Sequence, residues 1–557
     1  MAFPAKWFML AALLPALAAH GAHADPKTVC TITVNSPDER EMFRKSLPAD
    51  DYRFVELVER GRPDWLASAC RKGVRCDVLL ISGHFDGGDE FYSDRVDARE
   101  SLPVDEMERA SCSDSCPGLF AKLKEVYLFG CNTLNPDALT SASGEIARSL
   151  VRAGHSPSDA EQLSRVLVER HADSNRDRMR QIFKDVPVIY GFSSKAPLGP
   201  KAATVLERYF QTASPAEIGT GRPSARLLSL FAPSSMTVTR GSNDADAQAD
   251  YRRDMCRFAD DRTSLAQKVA FVHELLGRDM AEVRLYLDQI EKSVASAAET
   301  DRQSLPVALA LGAVASDTAA RDRFLTFTRD ADEPRIRARL IDLAGRLGWL
   351  TPSGKQAELV RMLQQRLSAS DVGAEDVDLA CTLNRDRGLE PILELLAVPP
   401  GKARDVGRAA VLACLGSPTA HAQVIAALTS VRDRDVQIAQ VYLSHHPIVD
   451  IAELRAVALR IGRMSDAEAQ VRALDTLALH RVSDRESLEA LTGLFPVAKT
   501  VNVQRAIAGI LIRSDYETIA KPELLRALRE KRLKSPDGQD LIDALIRRMQ
   551  ASLQRAA

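Results

Sequence analysis

The chain has 557 residues, 45% hydrophobic and 27% charged, with 74 Lys and Arg against 76 Asp and Glu. Its length suits two or three domains. The charge balance argues against a nucleic-acid-binding protein, which normally carries a basic excess, and the ordinary Gly and Pro content excludes collagen-like and disordered classes.

Met1 to Ala24 has the order of a secretory signal: Lys6 as a positive start, a short apolar run from Trp7 to Ala19, then Ala22-His23-Ala24 with small residues at −3 and −1 before Asp25. The run is too short to span a bilayer, and no later run approaches membrane length. The expectation is a soluble exported protein, periplasmic or secreted, with no integral membrane segment. Export favours disulfides, and the cysteine count, nine, is odd. Pairing of eight leaves one thiol free. Cys112 and Cys116 are placed to close a small loop, with no second pair or nearby His to make a metal set. Cys381 and Cys414 read as core residues of helices.

Residues 26–212 alternate strands and helices. Val29 to Val34 is β-rich, and Ser36 with Glu39 reads as a capping box for the helix that follows. Tyr52 to Val58, Cys76 to Ser82, Val126 to Phe129 and Val186 to Tyr190 are further strands, with helices near 65–70, 144–153 and 201–211. Ser156-Pro157 reads as another helix start. Near-continuous apolar strands alternating with helices predict an α/β domain with a mostly parallel sheet. Residues 213–250 are turn-rich or polar and read as a linker. Residues 251–557 read as all-helical. Val406, Val436, Val471 and Val503 recur at intervals of 30, 35 and 32 residues, the period of an α-solenoid with two helices per unit. An ordinary helical bundle is the alternative.

Two strand ends carry the chemistry. Ile81-Ser82-Gly83-His84-Phe85 closes one apolar strand, and Leu128-Phe129-Gly130-Cys131-Asn132-Thr133 closes the next. Neighbouring parallel strands would bring His84 and Cys131 together at the sheet's carboxyl edge, where such folds place their sites. Cysteine supplies a nucleophile, histidine holds and returns a proton near neutral pH, and backbone N–H groups can stabilise an oxyanion.

Strand-His followed by strand-Gly-Cys resembles the caspase-like cysteine peptidases of clan CD, the group of caspases, gingipains, separases and CHAT domains. The resemblance covers about residues 28–212. The helical half resembles degenerate HEAT repeats. For the first half the resemblance implies a cysteine endopeptidase with His84 as general acid/base and Cys131 as nucleophile. The N–H groups of Cys131 and Phe85 would form the oxyanion hole. No metal or organic cofactor is implied. Val188 to Ser194 is similar to the next strand of that fold, whose end, at Ser193 and Ser194, lines the substrate cleft. One departure is plain: most members have His-Gly, whereas Gly83 precedes His84 and Phe85 follows it. A catalytically inactive caspase-like/HEAT scaffold for protein–protein interaction is the competing reading.

Gly87-Gly88-Asp89-Glu90-Phe91 spells the GGDEF signature of diguanylate cyclases. The next six residues are not the apolar strand that family needs, and its other nucleotide-binding motifs are absent. The segment reads instead as a polar loop over the cleft, with Asp86, Asp89 and Asp94 able to favour a basic substrate side chain. The expected partners are a protein or peptide substrate and a protein bound along the helical repeats.

Overall fold

The computed structural model describes residues 25–556, apart from 63, 86–87, 95–99, 114–115, 138–142, 172–173, 298, 332, 398–404, 481, 515–521 and 534–540. The proposed signal segment therefore lies outside the described residues. No helix among them is long and apolar enough to cross a membrane. The chain divides into two compact units, residues 1–310 and 311–557.

The first unit is built on a six-stranded sheet. Its strands are β1 (Lys27–Thr33), β2 (Tyr52–Glu56), β3 (Val78–Ser82), β6 (Glu125–Phe129), β7 (Val188–Phe192) and β8 (Met236–Thr239), in the order β2-β1-β3-β6-β7-β8. The strands β4 (Glu90–Tyr92) and β5 (Ser101–Pro103) form a separate antiparallel pair, and Tyr92 of β4 also bridges to His84. The five strands from β2 to β7 run parallel, and β8 closes the edge antiparallel to β7. Every residue of β3, β6 and β7 is buried, because helices cover both faces.

Alternate side chains feed two separate cores. Leu79, Ile81, Val126, Leu128 and Ile189 pack on one face with Trp65, Met107, Met179 and Ile182. Val78, Leu80, Tyr127, Phe129 and Tyr190 pack on the other with Phe43, Leu206 and Phe231. A one-residue slip of any central strand would exchange its contributions to the two cores.

The stretch 213–250 is not a linker. It contains the helix Ala225–Phe231, capped by Ser224, and then β8. The helices Ala249–Ala259, Leu265–Leu276, Met280–Leu285 and Leu287–Ala295 also belong to the first unit. Arg284 forms a buried ion pair with Glu145 at 2.9 Å, and Arg252 donates to the Gln181 carbonyl at 2.9 Å. A disulfide joins Cys112 to Cys256.

The cysteine pairing also differs from expectation. Cys112 and Cys116 do not close a small loop, since Cys116 bonds Cys70 while Cys112 bonds Cys256. Their helix Val104–Cys112 ends between them, and the backbone leaves it extended at Ser113. Cys30 bonds Cys76 between β1 and the start of β3, and Cys381 bonds Cys414 within the second unit. The capping box at Ser36 is absent too. Pro37 occupies the cap position without a side-chain bond, Ser36 bonds Asp38, and Glu39 turns inward.

The second unit is helical. Val406, Val436, Val471 and Val503 lie on four helices, Val406–Cys414, Asp433–His445, Ala467–Ala478 and Val501–Arg513, each packed on the next. The intervening helices Pro418–Ala427, Ile451–Ile461 and Arg485–Leu494 pack in a second succession. Buried polar residues in the first turn of some of these helices satisfy the carbonyls that end an earlier one. Arg408 Nε donates to Leu367 O at 2.8 Å, Gln470 to Ile461 O at 2.9 Å, and Gln504 to Phe495 O at 3.1 Å.

Candidate active site

β3 and β6 are adjacent, parallel and paired Ser82 to Phe129. Two residues beyond that pair in each strand stand His84 and Cys131. The intervening glycines touch. Gly83 N donates to Phe129 O at 3.2 Å, and a Cβ on Gly130 would lie 3.0 Å from Gly83 O and 2.8 Å from Phe85 Cβ. Glycine at 130 is thus what lets the Cys131 strand end close against the His84 strand end.

Cys131 is the free cysteine of the nine and is partly exposed. Its Sγ accepts a hydrogen bond from Ala196 N at 3.3 Å. Asn132 then takes a left-handed backbone at φ 59°, within a turn over residues 131–134. The turn is held from two sides: Asn132 N donates to Ser194 O at 2.7 Å, and Asn132 O accepts from Asn175 Nδ2 at 3.1 Å. Thr133 Oγ1 accepts from Phe192 N at 3.0 Å and donates to Gly130 O at 3.2 Å. A Cβ on Gly191 would fall 2.6 Å from Thr133 Oγ1, so glycine in β7 makes room for this turn.

His84 is tied by both backbone groups to Tyr92, each at 2.9 Å, and its ring lies 5.4 Å from the Tyr92 ring. Its Nε2 sits 3.3 Å from Asp94 Oδ2, without hydrogen-bond alignment. Phe85 is fully buried against Phe91, with ring centroids 4.6 Å apart. Any role at Phe85 is therefore confined to its backbone, since its side chain belongs to the core.

The acidic loop is less free than the sequence suggests. Asp86 lies outside the described residues. Asp89 is exposed but lies 3.7 Å from the Arg178 guanidinium, and Asp94 faces His84. Ser193 and Ser194 stand at the end of β7, beside the Cys131 turn. Ser193 Oγ donates to Ser235 O at 3.3 Å, and Ser194 supplies the carbonyl that holds Asn132. Ser193 also lines a cleft of about 310 Å³ with Leu134, Arg176, Arg180 and Arg240.

Several neighbours escaped sequence reasoning. Asn175 and Arg178 sit in the highly charged stretch from His171 to Arg180. Ala196 contributes only a backbone N–H. Glu39 reads as a cap partner, yet the i, i+4 spacing to Phe43 puts it on the inward face of its helix. It is 3% exposed, bonds Ser82 at the end of β3, and leaves Oε2 unpartnered among the described residues.

Burial, reinforced by the Asp38 charge, pushes the Glu39 carboxyl from its ordinary 4.5 up to about 7. The folded chain then holds this proton more tightly than the unfolded chain. The resulting stability is fully present below about pH 4.5 and is lost as pH rises through 7, a change on the order of 3 kcal/mol. Glu39→Gln is expected to flatten that part of the profile. The urea midpoint of wild type, minus that of the variant, should fall between pH 4.5 and 7.5. A constant difference would show that the carboxyl ionises as freely folded as unfolded.

Cys381, Cys414 and His446 offer ligand atoms within 4.8 Å of one another, but the two sulfurs are bonded to each other and are not thiolates. Comparison with protein-family models, with curated proteins and with solved structures finds no match.

Proposed function

We propose that the chain is an exported cysteine endopeptidase with a caspase-like α/β unit and a HEAT-like solenoid that binds a protein partner. The observation that carries the peptidase reading is the position of Cys131. It is the unpaired cysteine in a chain with four disulfides, and it stands one strand across from His84 at matched register. The disulfides support an oxidising compartment, hence export. The two successions of stacked helices support the solenoid reading, and a concave face on such an array suits a protein partner.

In the proposed reaction the Cys131 thiolate attacks a peptide carbonyl carbon. The new C–S bond places negative charge on the carbonyl oxygen, which the N–H groups of Cys131 and Phe85 receive. Collapse of this intermediate breaks the C–N bond as His84 gives its proton to the departing amine. Water then attacks the thioester, His84 takes a water proton, and the C–S bond breaks to release the acid and restore the thiol pair.

Thiol chemistry tests this directly. Iodoacetamide is expected to modify the native, unreduced protein once, at Cys131, several times faster than it modifies a free cysteine peptide. A peptidyl chloromethylketone should block that site. Modification no faster than the free peptide, or no protection, overturns the reading.

A further inference from the structure

The segment Asn175–Ile182 is a helix started by Ser174, whose side chain caps Asp177 N. Its first turn reaches two separate loops at the carboxyl edge of the sheet. On one side, Asn175 Nδ2 donates to the carbonyl of Asn132, the residue after Cys131, at 3.1 Å, and Arg176 N donates to Asn135 O at 3.0 Å. On the other side, Arg178 Nη1 donates to the carbonyl of Gly88 at 2.9 Å. Gly88 lies on the loop that leaves His84 and returns as β4, whose Tyr92 pairs with the His84 backbone. The fit is close: Gly88 has φ 83°, and a Cβ there would fall 2.6 Å from Asn175 Oδ1.

Asn175 is 3% exposed, and its Oδ1 has no hydrogen-bond partner among the described residues. A buried amide oxygen left without a partner costs stability, so the Nδ2 bond is what the Asn175 side chain contributes in this position. That bond holds Asn132, a non-glycine residue kept in the left-handed region. Arg178 is itself oriented by Glu108 at 3.3 Å, from the helix that follows β5.

We propose that Asn175 and Arg178 are positioning residues that hold the Cys131 turn and the His84 loop in mutual register from a single helix. The inference rests on the His84–Cys131 reading. Neither side chain reaches the reacting atoms. Each fixes a loop carbonyl, and the helix between them turns two independent loops into one rigid frame.

The test compares wild type with Asn175→Leu, which keeps the shape and removes the donor, and with Arg178→Met and Arg178→Lys. For Asn175→Leu and Arg178→Met, kcat on a peptide substrate is expected to fall about 10- to 100-fold, the cost of small misplacements at a reacting centre. KM should stay within about threefold, and Arg178→Lys, which retains a charged donor, should recover most of kcat. The pH profile of Cys131 alkylation supplies a second readout that needs no substrate. Wild type should show an inflection that His84→Ala removes, and Asn175→Leu should weaken it. If Asn175→Leu does not fold, the Arg178 pair decides alone. Folded variants with wild-type kcat and an unchanged profile overturn the inference. Wild type with neither cleavage nor a His84-dependent inflection instead overturns the peptidase reading on which it rests.

Discussion

Cys131→Ala is expected to lower kcat/KM for peptide cleavage by about 10⁴-fold or more, with little change in thermal stability. The size of the loss follows from the proposed role: without the sulfur no covalent intermediate would form, and only binding and oxyanion stabilisation would remain. The small stability effect follows from position. Cys131 is partly exposed at a strand end, and among the described residues its Sγ accepts one hydrogen bond, from Ala196 N. His84→Ala should lose activity on a similar scale, because the departing amine would leave without its proton donor. It should also leave Cys131 available for alkylation, at a rate no longer governed by the imidazole. Stopped peptide hydrolysis together with an unchanged melting curve is the expected pair of results. Retention of more than a tenth of wild-type activity by Cys131→Ala would remove this residue from the chemistry.

The second large effect is structural. Replacing Cys112 and Cys256 together by alanine is expected to destabilise the first unit by up to about 5 kcal/mol, the chain-entropy value for a loop of this length. The bridge spans 144 residues, whereas Cys70–Cys116 spans 46. The same relation makes the longer bridge worth about 1 kcal/mol more than the shorter one. Polar contacts flank the bridge. Arg109 meets Asp261 at 3.1 Å, and Arg252 donates to Ser111 Oγ at 2.9 Å. Arg109 and Asp261 both retain exposure, so their ion pair contributes little against the lost cross-link. Urea denaturation followed by tryptophan fluorescence reads the difference, and a double variant that unfolds at the wild-type midpoint would refute it.

The central strands were legible because burial on both faces leaves an apolar run that few other elements imitate. Val78 to Ile81 and Val188 to Tyr190 are of that kind. β8 was not, since Met236-Thr237-Val238-Thr239 is short, half polar and embedded among turns, and only its pairing with β7 makes it a strand. The helices between 249 and 295 read as helices of the second half, whereas they pack in the first unit. Amphipathic spacing reveals that a face is covered without saying by what. The Cys112–Cys256 bond and the Arg284–Glu145 pair, which decide the matter, join residues far apart in sequence.

The candidate site divides in the same way. His84 and Cys131 stood out because each follows a glycine at an apolar strand end. Asn175, Arg178 and Glu39 did not, because their partners are backbone carbonyls or a serine on other elements. A polar residue that serves a distant carbonyl has the same local sequence as one that serves water. The GGDEF segment errs in the opposite direction. Its glycine at 88 is explained by the Asn175 contact and its Phe91 by the core, with no nucleotide needed for either.

The three bridges of the first unit overlap end to end. Cys70 lies before Cys76, where the first loop closes, and Cys112 lies before Cys116, where the second does. Every peptide bond from Cys30 to Cys256 is therefore enclosed by at least one disulfide loop. A single proteolytic nick anywhere in this span cannot release a fragment. The two pieces travel as one molecule on a non-reducing gel and separate only when thiol is added. That topology turns a first cut from a loss of the chain into a covalently retained scar.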